Sequence, residues 1–453
     1  MPFPLGEEIA SLLPKATVVL DRDVLGAHVT DRATFCPHGT PAALVRVSRR
    51  EDIVAVMEFA SSRRVPVVAQ GARSGVAGGA NAVDGAILLD LSPMNRILDI
   101  DPVELTAKVE PGVLNAELSR AVAREGLHYP PDPSSAEFST IGGNIATNAG
   151  GLCCVKYGVT ADYVRGLTVV LADGRVLDTG TATAKGVAGY DLTRLFTGSE
   201  GTLGVIAQAT LSLRRQPPPS STAVAFFTSL TSACTAARHL AVDANTPSML
   251  EFLDRASVDI VRNHRDLGFP RDAEAMLLIQ YDSHHTDPMA AAAEIVGEHG
   301  GETIVADTPA EAHTLQEARR SLGIATEHLG ASLIEDVCVP RRALGDLVGG
   351  VAAIGRRHQV RTACAGHAGD GNMHPKIIFD AADPAEVSRA RKAFDDVMRL
   401  GLELGGTITG EHGVGLLKRD WLRAEVGPVS MELHEGIKQL FDPHGILNPG
   451  KVL

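Results

Sequence analysis

Two histidines in the C-terminal half of the chain are spaced for shared chemistry. The segment HAGDGNMH runs from His367 to His374 and lies between two extended runs. If these runs pair through a turn at residues 369–372, the histidines face each other directly, with Cβ atoms roughly 4.5–5.5 Å apart. Imidazole is the commonest transition-metal ligand, and a carboxylate would complete a three-ligand site with open positions. The spacing indicates a metal site, although a histidine pair also packs or forms hydrogen bonds in many proteins.

Further polar residues supply the groups that such a site needs. Glu411, in the glycine-rich segment TGEHGVG, is the leading candidate for the carboxylate ligand. His412 follows it and could act as a general base, whereas a histidine of this kind on its own is more often solvated. Arg319 and Arg320 lie in QEARRSLG on a predicted helix. An arginine can bind a substrate carboxylate with two hydrogen bonds, and we expect at least one of the two on a solvated helix face.

A long stretch with little charge, PPDPSSAEFSTIGGNIATNAGG, runs from Pro130 to Gly151. Its prolines and glycines argue against a helix, and only two residues have the bulk typical of a strand. We therefore predict a long loop that is dense in backbone N–H groups. Such a loop lets a ligand approach the main chain and forms a concave anion site. The stretch is typical of a cradle for a phosphate-bearing cofactor, the alternative being a mobile surface loop.

A second glycine-rich segment, GARSGVAGGAN at residues 71–81, follows a predicted strand. Its glycines at positions 71, 75, 78 and 79 do not match the GxGxxG spacing of a dinucleotide fold. The few residues between Gly79 and Ile87 cannot form the helix on which the phosphates would sit. The spacing therefore argues against nicotinamide binding by a Rossmann fold and favours a different phosphate clamp.

Composition limits the class of protein. The chain has 453 residues, so two or three domains are expected. A net charge of −13 and an aromatic content of 4% argue against a nucleic-acid partner. The N-terminus does not resemble a secretory signal, no run approaches the length of a membrane span, and the six cysteines show no CxxC. We expect a cytoplasmic protein with small, buried cysteines, and contact with the inner face of the membrane stays open.

The segment RRQPPPSS at residues 214–221 is the clearest domain boundary, because consecutive prolines form a stiff extended link. Strands and helices alternate after it in the manner of an α+β sandwich. After residue 406 the composition returns to the loop-rich style of the first half. We therefore predict a discontinuous first domain.

Seven segments in order resemble one family of flavoenzymes over nearly the whole chain. They are GARSGVAGGAN, PPDPSSAEFSTIGGNIATNAGG, KYGVTADYVRGLTVVLADG, LFTGSEGTLGVI, HAGDGNMHP, TGEHGVG and LNPGK. The chain is similar to flavoenzymes with a vanillyl-alcohol-oxidase-type FAD domain, specifically the D-lactate dehydrogenase and glycolate oxidase flavin-subunit family. The resemblance implies an α+β fold, with a two-part FAD-binding domain and an α+β ferredoxin-like cap domain.

The resemblance also implies domain bounds. The FAD-binding domain, of the PCMH type, covers residues 1–216 with its core from about residue 37. The substrate or cap domain, of the FAD-linked oxidase C-terminal type, covers residues 217–410, and residues 411–453 return to the FAD domain.

The same resemblance assigns site residues. The FAD is expected to be noncovalent, since the family's linking histidine and cysteine have no clear counterpart. Its implied contacts are Gly71, Ser74, Gly75, Gly78, Pro131, Asp132, Ser134, Thr140, Gly143, Asn144, Ala146, Gly201, Thr202, Val205, Ile206 and Asn448. His367, His374 and Glu411 are implied as ligands of a divalent metal such as zinc, manganese or iron. Arg319 is implied for the substrate carboxylate and His412 for the base.

The implied reaction is the oxidation of a D-2-hydroxy acid to the 2-oxo acid. Arg73 stands where the family's first loop usually has a glycine, which puts the backbone angle there in question. Lys376 and Ile334 stand where the 2-hydroxyglutarate dehydrogenase branch has an asparagine and a lysine, which favours D-lactate or glycolate over D-2-hydroxyglutarate. The electrons would pass to a quinone, a cytochrome, an electron-transfer flavoprotein or oxygen, and the protein would be a homodimer or part of a redox complex.

Two other functions compete with this interpretation. A metal hydrolase built on the histidine pair would be colourless and would need no electron acceptor. A non-catalytic flavin-binding subunit of a larger redox complex would be yellow but would not be bleached by any 2-hydroxy acid.

Overall fold

The computed structural model describes residues 4–13, 17–283 and 287–453, which form two compact units. Unit 1 comprises the described residues of Met1–Gly150, Val159–Gln216 and Glu411–Leu453. Unit 2 comprises Gly151–Gly158 and the described residues of Pro217–Gly410. Residues 151–158 thus belong to unit 2, although the sequence analysis assigns them to the first domain. No helix in the described ranges is both long enough and apolar enough to cross a membrane.

The described residues form the following elements. The strands are β1 (Thr17–Val19), β2 (Ala43–Arg46), β3 (Val67–Gln70), β4 (Ile87–Asp90), β5 (Ile97–Asp101), β6 (Thr106–Val109), β7 (Leu127–His128), β8 (Val164–Val170), β9 (Val176–Gly180), β10 (Val205–Ser212), β11 (Arg214–Arg215), β12 (Ser221–Phe227), β13 (Met249–Asp254), β14 (Ala275–Tyr281), β15 (Glu302–Val305), β16 (Ala331–Ile334), β17 (Val337–Cys338), β18 (Arg361–His367) and β19 (Asn372–Phe379). The helices are α1 (Pro4–Leu12), α2 (Arg22–Gly26), α3 (Arg50–Arg63), α4 (Asn115–Ala123), α5 (Ile141–Thr147), α6 (Cys154–Tyr157), α7 (Leu192–Phe196), α8 (Leu230–Ala241), α9 (Arg255–His264), α10 (Pro288–Glu298), α11 (Pro309–Glu327), α12 (Leu344–His358), α13 (Pro384–Glu403) and α14 (Arg419–Phe441).

The first sheet of unit 1 has the strand order β1-β2-β4-β3, in which β2, β4 and β3 run parallel. Helix α3 packs on it because Ile53, Val56 and Met57 recur at helical spacing and are fully buried. The C-terminal segment returns to this sheet. Val67 N–H donates to Ile446 O at 2.7 Å, and Asn448 N–H donates to Val67 O at 2.8 Å. These two bonds join the first and last parts of unit 1.

The second sheet of unit 1 is antiparallel, with the order β5-β6-β10-β8-β9. Leu118 and Val122 of α4 lie in its core with Ile141 and Ile145 of α5. Strands β7 and β11 form a separate short pair. Val205 and Ile206, two of the predicted cofactor contacts, begin β10, and Val205 lies opposite Val170 at the end of β8.

The prediction that residues 130–151 form no helix is wrong for residues 141–147, which form α5. Thr140 caps the helix, because its side-chain oxygen accepts a hydrogen bond from Gly143 N–H at 3.3 Å. Ile141 and Ile145 lie one helical turn apart and are fully buried. Their burial outweighs the low helix propensity of the two glycines, which costs about 1 kcal/mol each. The segment before Thr140 contains no helix or strand.

Unit 2 is built on one antiparallel sheet with the order β15-β12-β14-β13-β18-β19-β16, and β17 pairs with β19. Val258 and Val261 of α9 pack with Leu253 and Met276 of the sheet. Strands β13, β18 and β19 are neighbours in this sheet, so it places their polar side chains close together.

The expectation of a loop-rich C-terminal segment is wrong for residues 419–441, which form α14. The helix is interrupted at Gly427, whose φ of 76° and ψ of 170° are not helical, and Pro428 begins its second part. Glycine and proline hide the helical pattern in the sequence, because both have low helix propensity.

The structure describes all six cysteines. Cys234 and Cys364 are buried, whereas the other four are partly exposed. The expectation of small buried cysteines therefore applies to two of them.

Candidate functional site

The predicted cofactor segments meet closely in unit 1. A Cβ atom on Gly71 would overlap the side-chain oxygen of Thr140, so the loop after β3 and the N-cap of α5 contact each other only because residue 71 is glycine. Asn448 Nδ2 donates to Gly79 O at 2.9 Å and to Glu200 O at 2.7 Å. Glu200 N–H donates to Ala146 O at 2.8 Å. The structure thus brings together four segments to which the sequence analysis assigned cofactor contacts.

Buried polar atoms at this junction fit a phosphate-bearing cofactor. Asn144 Nδ2 and Ser139 Oγ are buried and have no hydrogen-bond partner among the residues that the structure describes. A buried polar group without a partner costs about 1–3 kcal/mol. Both residues belong to the stretch 130–151, and Asn144 is one of the predicted contacts. The phosphate and hydroxyl oxygens of FAD would satisfy these atoms, so the residues present fit this cofactor.

The backbone of Arg73 takes the angle that the family's glycine would favour. Its φ is 53°, in the left-handed region, where a residue with a Cβ atom is strained. The guanidinium Nη2 donates to Ala27 O at 3.4 Å, and burial lowers the pKa of the side chain. The loop therefore keeps the shape that suits glycine despite the substitution.

The predicted direct pairing of His367 with His374 is wrong. In the register of β18 and β19, His367 lies opposite Asn372, and His374 lies opposite Ala365. The turn accounts for this register, because Gly371 N–H donates to His367 O at 3.0 Å and closes the hairpin directly after residue 367. Residues 372 and 374 point to the same face of the sheet. The histidines are therefore diagonal neighbours on one face, with their Nε2 atoms 3.1 Å apart.

The buried carboxylate of Glu251, on β13, joins two of the predicted site residues. Its Oε1 lies 2.5 Å from His367 Nδ1, and its Oε2 accepts a hydrogen bond of 2.9 Å from Arg319 Nε. Donation from Nδ1 to a carboxylate leaves Nε2 of His367 as the atom with a lone pair. The sequence analysis missed Glu251, although a lone glutamate inside the apolar run SMLEFLD was a signal for it.

The donor set fits a divalent metal. Two nitrogens bound to one ion at about 2.0–2.1 Å in tetrahedral geometry lie roughly 3.3 Å apart. The Nε2 atoms of the two histidines are 3.1 Å apart. His367 and His374 are therefore placed so that both could ligate the same ion.

Asp336 is a second carboxylate that the sequence analysis missed. It is fully buried, and its Oδ1 lies 3.5 Å from His374 Nδ1. Asn372 Nδ2 and Thr409 Oγ1 each donate to its carboxylate at 2.8 Å. These bonds hold the carboxylate beside the imidazole of His374. The acidic pair at residues 335–336, directly after an apolar strand, was the available signal.

The remaining predicted residues are distributed over both units. Arg319 lies on α11 of unit 2, and its neighbour Arg320 is exposed and paired with Glu317 at 3.2 Å. Glu411 and His412 begin the last segment of unit 1. In this segment the carboxylate of Glu411 occupies the space that a side chain on Gly150 would need, and His412 Nε2 lies 3.8 Å from Glu411 Oε1.

Lys376 and Ile334 are the two positions whose residue types differ from those of the 2-hydroxyglutarate dehydrogenase branch. They lie directly opposite each other on the paired strands β16 and β19. Lys376 Nζ lies 3.5 Å from Leu322 O and 3.4 Å from Thr326 Oγ1 on α11. Burial, and to a smaller extent the positive charge of Arg319, lowers the pKa of Lys376 to about 8. The half-buried cation thus faces the helix that carries Arg319.

Known proteins match both halves of the chain. Residues 216–452 match the family described as FAD linked oxidases, C-terminal domain, and residues 41–180 match the FAD binding domain. The chain is 40% identical to the glycolate oxidase subunit GlcD of Bacillus subtilis (strain 168), over 91% of this chain and 89% of that protein. It is 34% identical to the D-lactate dehydrogenase of Anaerostipes hadrus, over 98% and 96%.

The fold is also that of known flavoenzymes. The chain superposes on p-cresol methylhydroxylase with a TM-score of 0.81, covering 99% of this chain and 96% of that one at 17% identity. At this identity the likeness shows the fold, which is α+β with an FAD-binding domain of the vanillyl-alcohol-oxidase type. Together with the family matches, this shows that the chain belongs to the FAD-linked oxidases.

Proposed function

We propose that this protein oxidises a D-2-hydroxy acid, D-lactate or glycolate, to the corresponding 2-oxo acid with noncovalent FAD. The oxidation of 2-hydroxy acids by FAD is the activity class of the relatives named glycolate oxidase subunit and D-lactate dehydrogenase. The observation that carries the proposal is the bridge from Arg319 through Glu251 to His367. One buried carboxylate orients both a group that binds carboxylates and a group that binds metals.

Arg319 would bind the substrate carboxylate. Its Nε donates to Glu251, so the two terminal nitrogens of the guanidinium are the atoms that we assign to the substrate. A guanidinium held on one side is pre-organised, and its fork matches the two oxygens of a carboxylate. Arg320 does not have this role, because it is exposed and paired on the surface of α11.

His367, His374 and Glu411 would hold a divalent metal such as zinc, manganese or iron. The FAD would be held by the predicted contacts of unit 1, from Gly71 in the first loop to Asn448 in the last segment. When bound, the flavin supplies a hydride acceptor and the metal a Lewis acid. His412 would accept the proton of the substrate hydroxyl on an imidazole nitrogen. The substrate thus loses one proton and one hydride, which converts the alcohol to a ketone or aldehyde.

The visible spectrum tests this proposal directly. The purified protein, reconstituted with FAD and Mn²⁺, is mixed anaerobically with D-lactate, glycolate, L-lactate or D-2-hydroxyglutarate. We expect the flavin absorbance to bleach with D-lactate or glycolate, more slowly with L-lactate, and to return when an artificial acceptor is added. A protein that binds no FAD, or a yellow protein that none of these acids bleaches, would contradict the proposal. The first result would favour a metal hydrolase and the second a non-catalytic flavin subunit.

A further inference from the structure

We propose that Glu200 is a positioning residue, which holds the loop that carries Glu411 and His412 against the segments that hold the flavin. This inference rests on the proposed function, since it takes His412 as the base. Glu200 lies directly before Gly201 and Thr202, two of the predicted flavin contacts, and was not assigned a role by the sequence analysis.

The side chain of Glu200 binds two consecutive backbone amides. Its Oε1 accepts a hydrogen bond from Val414 N–H at 2.7 Å, and its Oε2 accepts one from Gly415 N–H at 3.0 Å. The carboxylate is buried, with 8% of the residue exposed. Hydrogen bonds to an ionised acceptor are roughly twice as strong as neutral ones. These bonds therefore fix the backbone two and three residues after His412.

Gly413, in the same loop, packs closely against the carboxylate of Glu200. A Cβ atom on Gly413 would lie 2.9 Å from Glu200 Oε1, and the φ of Gly413 is 84°. A side chain at this position would displace the carboxylate and also strain the backbone. The backbone of Gly413 therefore lies close against the carboxylate of Glu200, and this contact restricts the position of the neighbouring residue His412 within unit 1.

The backbone of Glu200 connects the flavin segments. Its N–H donates to Ala146 O at 2.8 Å, and its carbonyl accepts a hydrogen bond of 2.7 Å from Asn448 Nδ2. Its φ is 51°, in the left-handed region that favours glycine. A non-glycine residue keeps such a conformation only where surrounding bonds determine it. Glycine would suit this backbone better, so the carboxylate is the feature that explains a glutamate here.

The test compares the wild-type protein with Glu200→Gln and Glu200→Gly. Glutamine keeps the volume but presents an amide N–H to one of the two backbone N–H groups. Glycine removes the carboxylate and suits the left-handed backbone, so it keeps the test valid if the glutamine variant does not fold. Glu432→Gln is the matched control, because Glu432 is an exposed glutamate of the same unit. All measurements are made at pH 8, above the pKa of Glu200, which burial raises to about 7.

Hydrogen exchange of residues 411–417 is the first readout, because a merely structural role elsewhere would not change it selectively. We expect the amides of Val414 and Gly415 to exchange about tenfold faster in both variants. The second readout is anaerobic flavin reduction by D-lactate in FAD-loaded protein. We expect a rate roughly 10²-fold lower at saturating substrate, with KM changed less than threefold because Arg319 is untouched.

The outcomes separate this inference from the proposed function. Unchanged exchange at residues 414–415 overturns the inference, whether or not the protein oxidises hydroxy acids. Faster exchange with an unchanged rate of flavin reduction also overturns it, since the loop would then move without affecting the base. If no 2-hydroxy acid bleaches the wild-type flavin, the proposed function fails, and with it the role of Glu200 towards the base.

Discussion

The Oε1 atom of Glu251 lies 2.5 Å from Nδ1 of His367, and both residues are buried. The other oxygen of Glu251 binds Arg319 Nε at 2.9 Å. A carboxylate in this position orients the imidazole and increases the basicity of its second nitrogen. Glu251 therefore links the predicted substrate anchor to the predicted metal ligand in a chain of charge-assisted hydrogen bonds.

Replacement of Glu251 is expected to weaken metal binding. Glu251→Gln keeps an acceptor for one partner but places an amide N–H against the other, so metal affinity should fall roughly 10–100-fold. Titration of the metal-free protein with Mn²⁺, followed by the magnetic resonance signal of free Mn²⁺, measures this affinity. Glu298→Gln, an exposed glutamate on α10, is the control. Equal affinity in Glu251→Gln and wild type would contradict the link between Glu251 and the metal.

Removal of the imidazole at residue 412 is expected to abolish most of the activity and to leave FAD binding unchanged. His412→Ala should reduce flavin reduction roughly 10²–10⁴-fold, the usual contribution of general base catalysis. The FAD content, read from the visible absorbance, should stay at the wild-type level. His434→Ala, an exposed histidine on α14, is the matched control. Turnover close to wild type in His412→Ala would remove this residue from the reaction.

Arg73→Gly is expected to stabilise the protein. The left-handed backbone of Arg73 lowers the free energy of unfolding by roughly 1–2 kcal/mol, and glycine would remove this strain. Glycine would also lower the free energy of unfolding by about 0.5–1 kcal/mol, because it gives the unfolded chain more conformational entropy. The net gain should be about 1 kcal/mol, measured by urea unfolding at pH 8. Ala72→Gly, at the neighbouring position without a positive φ, should lower the stability instead. A loss of stability in both variants would show that the guanidinium contributes more than the strain costs.

Asn144→Ala is expected to weaken FAD binding more than it changes the stability of the apoprotein. The side-chain Nδ2 is buried and has no hydrogen-bond partner among the described residues. Its removal therefore breaks no hydrogen bond of this atom in the apoprotein. A lost hydrogen bond of about 1–1.5 kcal/mol to the cofactor corresponds to a roughly tenfold increase in Kd. Fluorescence quenching during reconstitution of the apoprotein measures this Kd. Gln439→Ala, an exposed amide on α14, should leave it unchanged.

The stability of the protein should depend on pH through Glu200. Burial raises its pKa to about 7 from an unfolded value of 4.5. The folded state therefore binds the proton more tightly, and this stabilisation is fully present below pH 4.5 and is lost as the pH rises through 7. Between pH 4.5 and 8, wild type should lose about 2–3 kcal/mol relative to Glu200→Gln. Parallel urea titrations of the two proteins at these pH values check the sign, and a constant difference would contradict it.

Local sequence signals determined the loops, the link between the domains and the family of this protein. Glycine-rich loops, the proline link at residues 214–221 and the HAGDGNMH hairpin are recognisable from neighbouring residues alone, because turns and extended links depend on local backbone preferences. The order of these segments also indicated the flavoenzyme family, which the comparisons confirmed.

Only the tertiary structure decided the rest. Helix α5 forms because Ile141 and Ile145 are buried in a core, which outweighs the glycines between them. The register of His367 and His374 depends on how the turn closes, and a shift of one residue changes which side chains share a face. Glu251 lies 68 residues from Arg319 in sequence, and Glu200 lies 214 residues from Val414. Such partners are not visible in a single sequence, because the free energy of their contacts comes from burial and charge that exist only after the chain has folded.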